Sequence, residues 1–150
     1  MRRSPGSEIM AYTLDKTIKG MPFDAVVAAT REALSTKGIG VLTEIDVRAT
    51  MKKKLDVDVA DYLILGACNP MMALEAMKME PRVGAMLPCN VIVRSLEEGT
   101  IMVSAIDPVA SMQAIDNPHL KTVAGQVRCL LQDAVAAIRG IGSPALSQAA

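Results

Sequence analysis

Two apolar runs joined by a three-residue turn constrain this chain more than any other feature. Pro88 to Leu96 and Thr100 to Ile106 both read as strands, and Glu97-Glu98-Gly99 between them is a hairpin loop with a glycine available for the left-handed position. Strands joined by so short a loop must pair antiparallel. The remaining elements therefore have to be arranged around an antiparallel sheet.

Those elements are marked by local signals. Ile9 to Ile18 alternates as a strand, with Tyr12, Leu14 and Ile18 prominent, and Gly20 ends it. Pro22 opens a helix at a position where its missing N–H costs nothing. Phe23, Val26, Val27, Thr30 and Leu34 give that helix one apolar face, and Lys37-Gly38 stops it. Ile39 to Ile45 is a second strand. Asp46 caps a short helix from Val47 to Leu55, with Val47, Met51 and Leu55 on one side. Asp61 to Cys68 is the third strand. Asn69-Pro70 combines a cap with a first-turn proline, and the helix it opens ends near Met79, before Glu80-Pro81. That helix holds only Glu75 and Lys78 as polar interior positions, so it is expected to be buried or to lie at an interface. Asp107-Pro108 closes the fifth strand and a loop follows. Asn117-Pro118 repeats the cap-plus-proline signal and begins the longest helix, through Arg139, with Leu120, Val123, Val127, Leu131 and Ile138 as its stripe.

The order β-α-β-α-β-α-β-β-α predicts a single α+β domain over residues 9–140, with a mainly antiparallel sheet and helices on one face. Residues 1–8 and 141–150 are expected to be a flexible leader and tail. Ile92, Val93, Ile101, Met102 and Val103 alternate poorly, so the second sheet face needs cover as well. A homodimer is the preferred cover, and a small ligand is the other.

Composition narrows the function. The chain of 150 residues has no Trp, one Phe and two Tyr but eleven Met, so its core is aliphatic and methionine-filled. Formal net charge is zero. That disfavours nucleic acid, which needs a basic surplus and stacking aromatics. The run Lys52-Lys53-Lys54 is followed by Asp56, Asp58 and Asp61 and reads as a solvated face. No stretch approaches the length of a membrane span. Three cysteines without dense spacing indicate a reducing, cytoplasmic setting rather than a disulfide scaffold.

Chemistry concentrates in two echoing strings, Gly66-Ala67-Cys68-Asn69-Pro70 and Leu87-Pro88-Cys89-Asn90-Val91. Cys68 stands just before a helix N-terminus, where the positive end of the helix dipole can lower a thiol pKa and make a nucleophile or metal ligand. A small buried hydrophobe ending a strand is the plainer reading of the same residue. Cys89 begins the next strand and can approach Cys68 if the two strands are neighbours. A soft-metal site, with Met71 or Met72 as thioether ligands and Cu(I) as the matching ion, is a further reading, set against simple core packing. Cys129 inside the last helix reads as filler. His119, the one histidine, falls in the first turn of that helix and reads as a surface residue. Asp46, Asp107 and Asp116 stand at element boundaries, where capping or turn formation explains them. No phosphate loop, zinc spacing or nucleophile elbow occurs.

Tyr62 to Pro70, Pro81 to Val91 and Ile106-Asp107-Pro108 together resemble the signature of the domain-of-unknown-function 302 family, over about Tyr12 to Arg139. The resemblance implies a small α+β fold of TATA-box-binding-protein-like β-α-β(4)-α arrangement, compact and dimeric, with no implication of DNA binding. It puts the family's Cys-Asn pairs on Cys68-Asn69 and Cys89-Asn90, and it implies no particular activity.

Three functional readings follow. The first is binding, redox sensing or sulfur handling through a thiol site at Cys68 and Cys89, with Asn69 and Asn90 shaping the turns. The second is a structural or protein-interaction dimer with inert buried thiols. The third is soft-metal binding. No cofactor is indicated by any motif, and whether the chain is an enzyme stays open.

Overall fold

The computed structural model describes residues 11–97 and 99–139. The elements run β1 (Thr13–Lys19), α1 (Phe23–Ser35), β2 (Gly40–Asp46), α2 (Val47–Leu55), β3 (Tyr62–Cys68), α3 (Pro70–Met79), a 3-10 helix (Pro81–Met86), β4 (Cys89–Ser95), β5 (Thr100–Ile106), α4 (Pro108–Ser111) and α5 (Pro118–Ala137). The five strands form one sheet in the order β1-β5-β4-β3-β2, and every neighbouring pair is antiparallel. This is the α+β domain that the element order predicts, and it is compatible with the arrangement implied by the family resemblance.

The hairpin that fixes this geometry closes as its sequence requires. Gly99 adopts φ +76, which a side chain disfavours. The Thr100 N–H then donates to the Glu97 carbonyl at 2.9 Å, and the Leu96 N–H donates to Thr100 at 2.9 Å.

Helix starts follow the cap signals. Asp46 Oδ1 accepts from the Ala49 N–H at 2.9 Å, Asn69 Oδ1 from Met72 at 3.1 Å, and Asn117 Oδ1 from Leu120 at 3.1 Å. Asp107 Oδ1 accepts from Val109 at 2.9 Å and opens the one-turn helix α4, where the sequence reading places a loop. Pro22 lies just outside α1 as its cap residue rather than inside its first turn, and it supplies no side-chain acceptor. The short 3-10 helix after Glu80 is a second element that the sequence reading does not contain.

Strand register sorts the side chains by face. Leu63, Val93 and Val103 lie across from one another, as do Leu65, Val91 and Ala105, and all six are buried. Val26 and Leu34 of α1 pack on this face with Leu131, Ala134 and Val135 of α5, forming the main core. A second, smaller core joins Ala76 of α3, Val83 of the 3-10 helix, Met112 after α4, and Leu120 and Ala124 of α5. Helix α5 thus contributes to both cores.

The opposite sheet face carries Tyr62, Ile64, Ile92, Arg94 and Met102, none of which belongs to either core. Poor alternation in β4 and β5 therefore reflects two apolar faces, only one of them under helices α1 and α5. Helix α2 has no buried residue, and Leu55 is 66% exposed. Of the two alternatives for α3, burial is not what is observed: only Ala76 is buried, whereas Met71, Leu74 and Met77 are exposed, which leaves the interface alternative. The proposed leader and tail, and Ile9-Met10 at the start of the first predicted strand, lie outside the described residues.

Candidate functional site

The two echoing strings lie side by side. Ala67 pairs with Cys89 and Gly66 with Asn90 across β3 and β4. Gly66 is needed for this approach: a β-carbon built there falls 2.1 Å from Thr43 Oγ1 and 2.7 Å from Pro88 Cγ. The glycine of one string makes room for the proline of the other. Their similarity in sequence therefore corresponds to a contact in space.

Cys68 and Cys89 line the same pocket, in the angle between the ends of β3 and β4 and helices α3 and α5. Met72 reaches it from the first turn of α3, and Met112 from just beyond α4. Leu87, Leu120 and Val123 are among the apolar residues that complete the walls. Four sulfur-bearing residues therefore meet in one small space. Cys89 and Met112 are buried, at 8% and 5% exposure, while Cys68 and Met72 are half-buried toward the outside. The volume is about 40 Å³. An organic cofactor needs several hundred Å³, so the pocket as it stands fits an ion or a few atoms.

Local sequence explains how the site is assembled. Asn69 ends β3 and caps α3 within one residue, which sets Cys68 and Met72 on either side of a tight corner. Asp107 does the equivalent on the far wall. Its Oδ1 caps α4 while its Oδ2 accepts from Arg128 Nε of α5 at 2.9 Å. That double role fixes α4, and with it Met112, against α5.

The electrostatics run against an activated nucleophile. Burial raises the Cys68 thiol pKa above its ordinary value, despite the adjoining helix N-terminus. Burial raises Cys89 to about 11, and the neighbouring Cys68 charge adds to the rise. The local dipole argument for a lowered Cys68 pKa is thus outweighed by desolvation. All three cysteines are free.

Other sequence candidates are placed elsewhere. Asn90 is exposed on the sheet face opposite Cys89, across from Gly66, and is not a pocket residue. Met71 is 82% exposed and does not line the pocket, so of the two adjacent methionines only Met72 reaches it. Cys129 and His119 are exposed and lie outside it. Asp46, Asp107 and Asn117 act as caps. Met112 is the residue that sequence reasoning does not reach. The nearest signal is Asp107-Pro108, the same cap-plus-proline pattern as Asn69-Pro70 and Asn117-Pro118, although the sequence reading takes the segment after it as a loop. Among the described residues no cluster of three or more His, Cys, Asp and Glu side chains forms. No helix among them is long and apolar enough to cross a membrane.

The comparisons with known proteins agree with this architecture. The crystal structure of an uncharacterized conserved DUF302 protein from Bacillus stearothermophilus superposes with a TM-score of 0.75 at 25% sequence identity, covering 84% of this chain and 98% of that one. No functionally curated protein matches. The family model for the domain of unknown function DUF302 matches residues 14–138, which takes in both Cys-Asn strings and, apart from Thr13 at the start of β1, every element from β1 to α5. The chain belongs to the DUF302 family.

Proposed function

We propose that this domain is a binding module that takes up a small, soft group at the Cys68 and Cys89 thiols, and that it does not act through an ionised thiolate nucleophile. One observation carries the reading: two thiols line one apolar pocket while burial keeps both protonated near neutral pH. A catalytic thiol would need the opposite shift. Redox sensing and sulfur handling draw on the same two atoms, but a raised pKa slows the thiolate steps on which both depend. Free cysteines and a thiol-based site suit a cytoplasmic, reducing setting.

Alkylation of the native protein with iodoacetamide, read residue by residue by mass spectrometry, tests the proposal. Cys68 should react more slowly than exposed Cys129, and Cys89 only after unfolding. If Cys68 is as inert as Cys89 in the folded protein, the pocket is closed to ligands and the reading fails.

A second reading is a homodimer through the uncovered sheet face. It rests on Ile64, Ile92 and Met102 lying outside both cores, with Ile45 beside them at 51% exposure. Light scattering coupled to size exclusion should report a dimer that Ile92→Glu dissociates. A monomer at all concentrations rejects this reading.

A further inference from the structure

We propose that the pocket is a Cu(I) site, with Cys89 and Met112 as its deep donors and Cys68 and Met72 as donors at its mouth. This rests on the reading of the pocket as the binding site and names its ligand. Three observations carry it. The donor set is made up of thiol and thioether residues, and neither a carboxylate nor a histidine lines the pocket. Thioether sulfur beside thiolate suits a soft, monovalent ion such as Cu(I). Zn²⁺ accepts thiolates too, but its four-coordinate sites add further cysteine, histidine or carboxylate ligands, and Mg²⁺ and Ca²⁺ need several oxygens; beyond two cysteines the pocket lining provides none of these. The volume of about 40 Å³ accommodates an ion and little else.

The arrangement also provides for charge. Binding forms a Cu–S bond at each cysteine as the S–H proton leaves to solvent, with no change in copper oxidation state. Two thiolates and one Cu(I) leave one net negative charge in an apolar pocket. The N-terminus of α3 stands beside Cys68 and offsets part of it. Because each Cu–S bond at a cysteine displaces a proton, affinity rises with pH. Deep donors behind shallow ones also give an entry route: an ion captured by Cys68 and Met72 at the surface passes inward to Cys89 and Met112.

The test is anaerobic titration of the reduced full-length protein with Cu(I) acetonitrile complex against a chromophoric Cu(I) chelator, with X-ray absorption on the loaded protein. One ion per chain with only sulfur neighbours is expected. Cys68→Ser should lower affinity by about a hundredfold, and Met72→Leu and Met112→Leu by about tenfold each. Met71→Leu and Cys129→Ser should leave it unchanged. The leucine variants conserve volume and keep the fold, so they remain informative if a cysteine variant unfolds. Absence of Cu(I) binding, or full affinity in the Met72→Leu/Met112→Leu double variant, overturns the inference. Should Cu(I) fail to bind while Cys68 is still alkylated in the native protein, the metal assignment falls and the pocket reading stands. Should both fail, both fall.

Discussion

Asp107 and Arg128 are joined through a carboxylate that serves two elements at once. Oδ2 accepts from Arg128 Nε on α5 at 2.9 Å, while Oδ1 accepts from the Val109 N–H at the start of α4. Asp107→Ala removes both interactions and should destabilise the protein by about 1–2 kcal/mol for the lost cap alone. Asp107→Asn keeps the capping oxygen and loses the ion pair, which is partly exposed, so its effect should be the smaller of the two. Urea melts of the two variants check the order. Equal midpoints would mean that the cap contributes nothing.

Gly66→Ala should be among the most damaging small substitutions. The added methyl meets Thr43 Oγ1, which can rotate, and the Pro88 ring, which has nowhere to go. Overpacking of this kind costs about 1–3 kcal/mol. Thr43→Ala in the same chain should recover only part of the loss, because the Pro88 contact persists. Complete recovery by Thr43→Ala would show that the proline is not a constraint.

Alkaline pH should weaken the fold through Cys89. Its folded pKa of about 11 lies above the ordinary thiol value of 9.0. Between these values the unfolded chain has lost the proton that the folded protein keeps, so stability falls as pH rises. By about pH 11 the loss should reach about 2 kcal/mol relative to neutral pH. Comparing chemical melts of the native chain with Cys89→Ala isolates this contribution from other titrations. Parallel pH profiles would refute it.

Lys16 closes the far end of α5. Its Nζ donates to the Ala136 carbonyl at 2.8 Å and to the Ile138 carbonyl, satisfying acceptors that the helix end leaves free. Burial, with Arg139 adding to it, lowers the Lys16 pKa. Lys16→Met keeps most of the stem and loses both bonds, at a cost of about 1 kcal/mol. Amide exchange should then quicken in the last turn of α5 and leave its first turn unchanged. Uniform acceleration along the helix would point to global destabilisation instead.

The legible parts of this fold are those whose causes are local. The turn closed by Gly99 and the caps at Asp46, Asn69 and Asn117 need only neighbouring residues, and each operates where the sequence places it. The identical signal at Asp107-Pro108 was legible too, but a helix of one turn is too short to leave an apolar period, so the segment reads as a loop. Met72 and Ala76 lie four residues apart on one side of α3, a spacing that favours Met72 over Met71 once Ala76 is known to be buried. What sequence cannot convey is the tertiary part of the site. Met112 arrives through the packing of α4 against α5. The Cys68 pKa depends on how much water the surrounding walls exclude, which no property of its neighbours along the chain determines.

Helix α5 has a consequence for how the pocket can adapt. Its C-terminal half is wedged into the sheet by Leu131, Ala134 and Val135, and its N-terminal half forms the pocket wall with Leu120, Val123 and Ala124. A continuous helix of 20 residues behaves as a lever pinned at one end, so that wall cannot swing outward without prying open the main core. Asp107 ties α4 and Met112 to the same helix, so any widening must come from α3, the 10-residue element that delivers Met72. The pocket therefore has one fixed jaw, which carries Met112, and one adjustable jaw, which carries Met72.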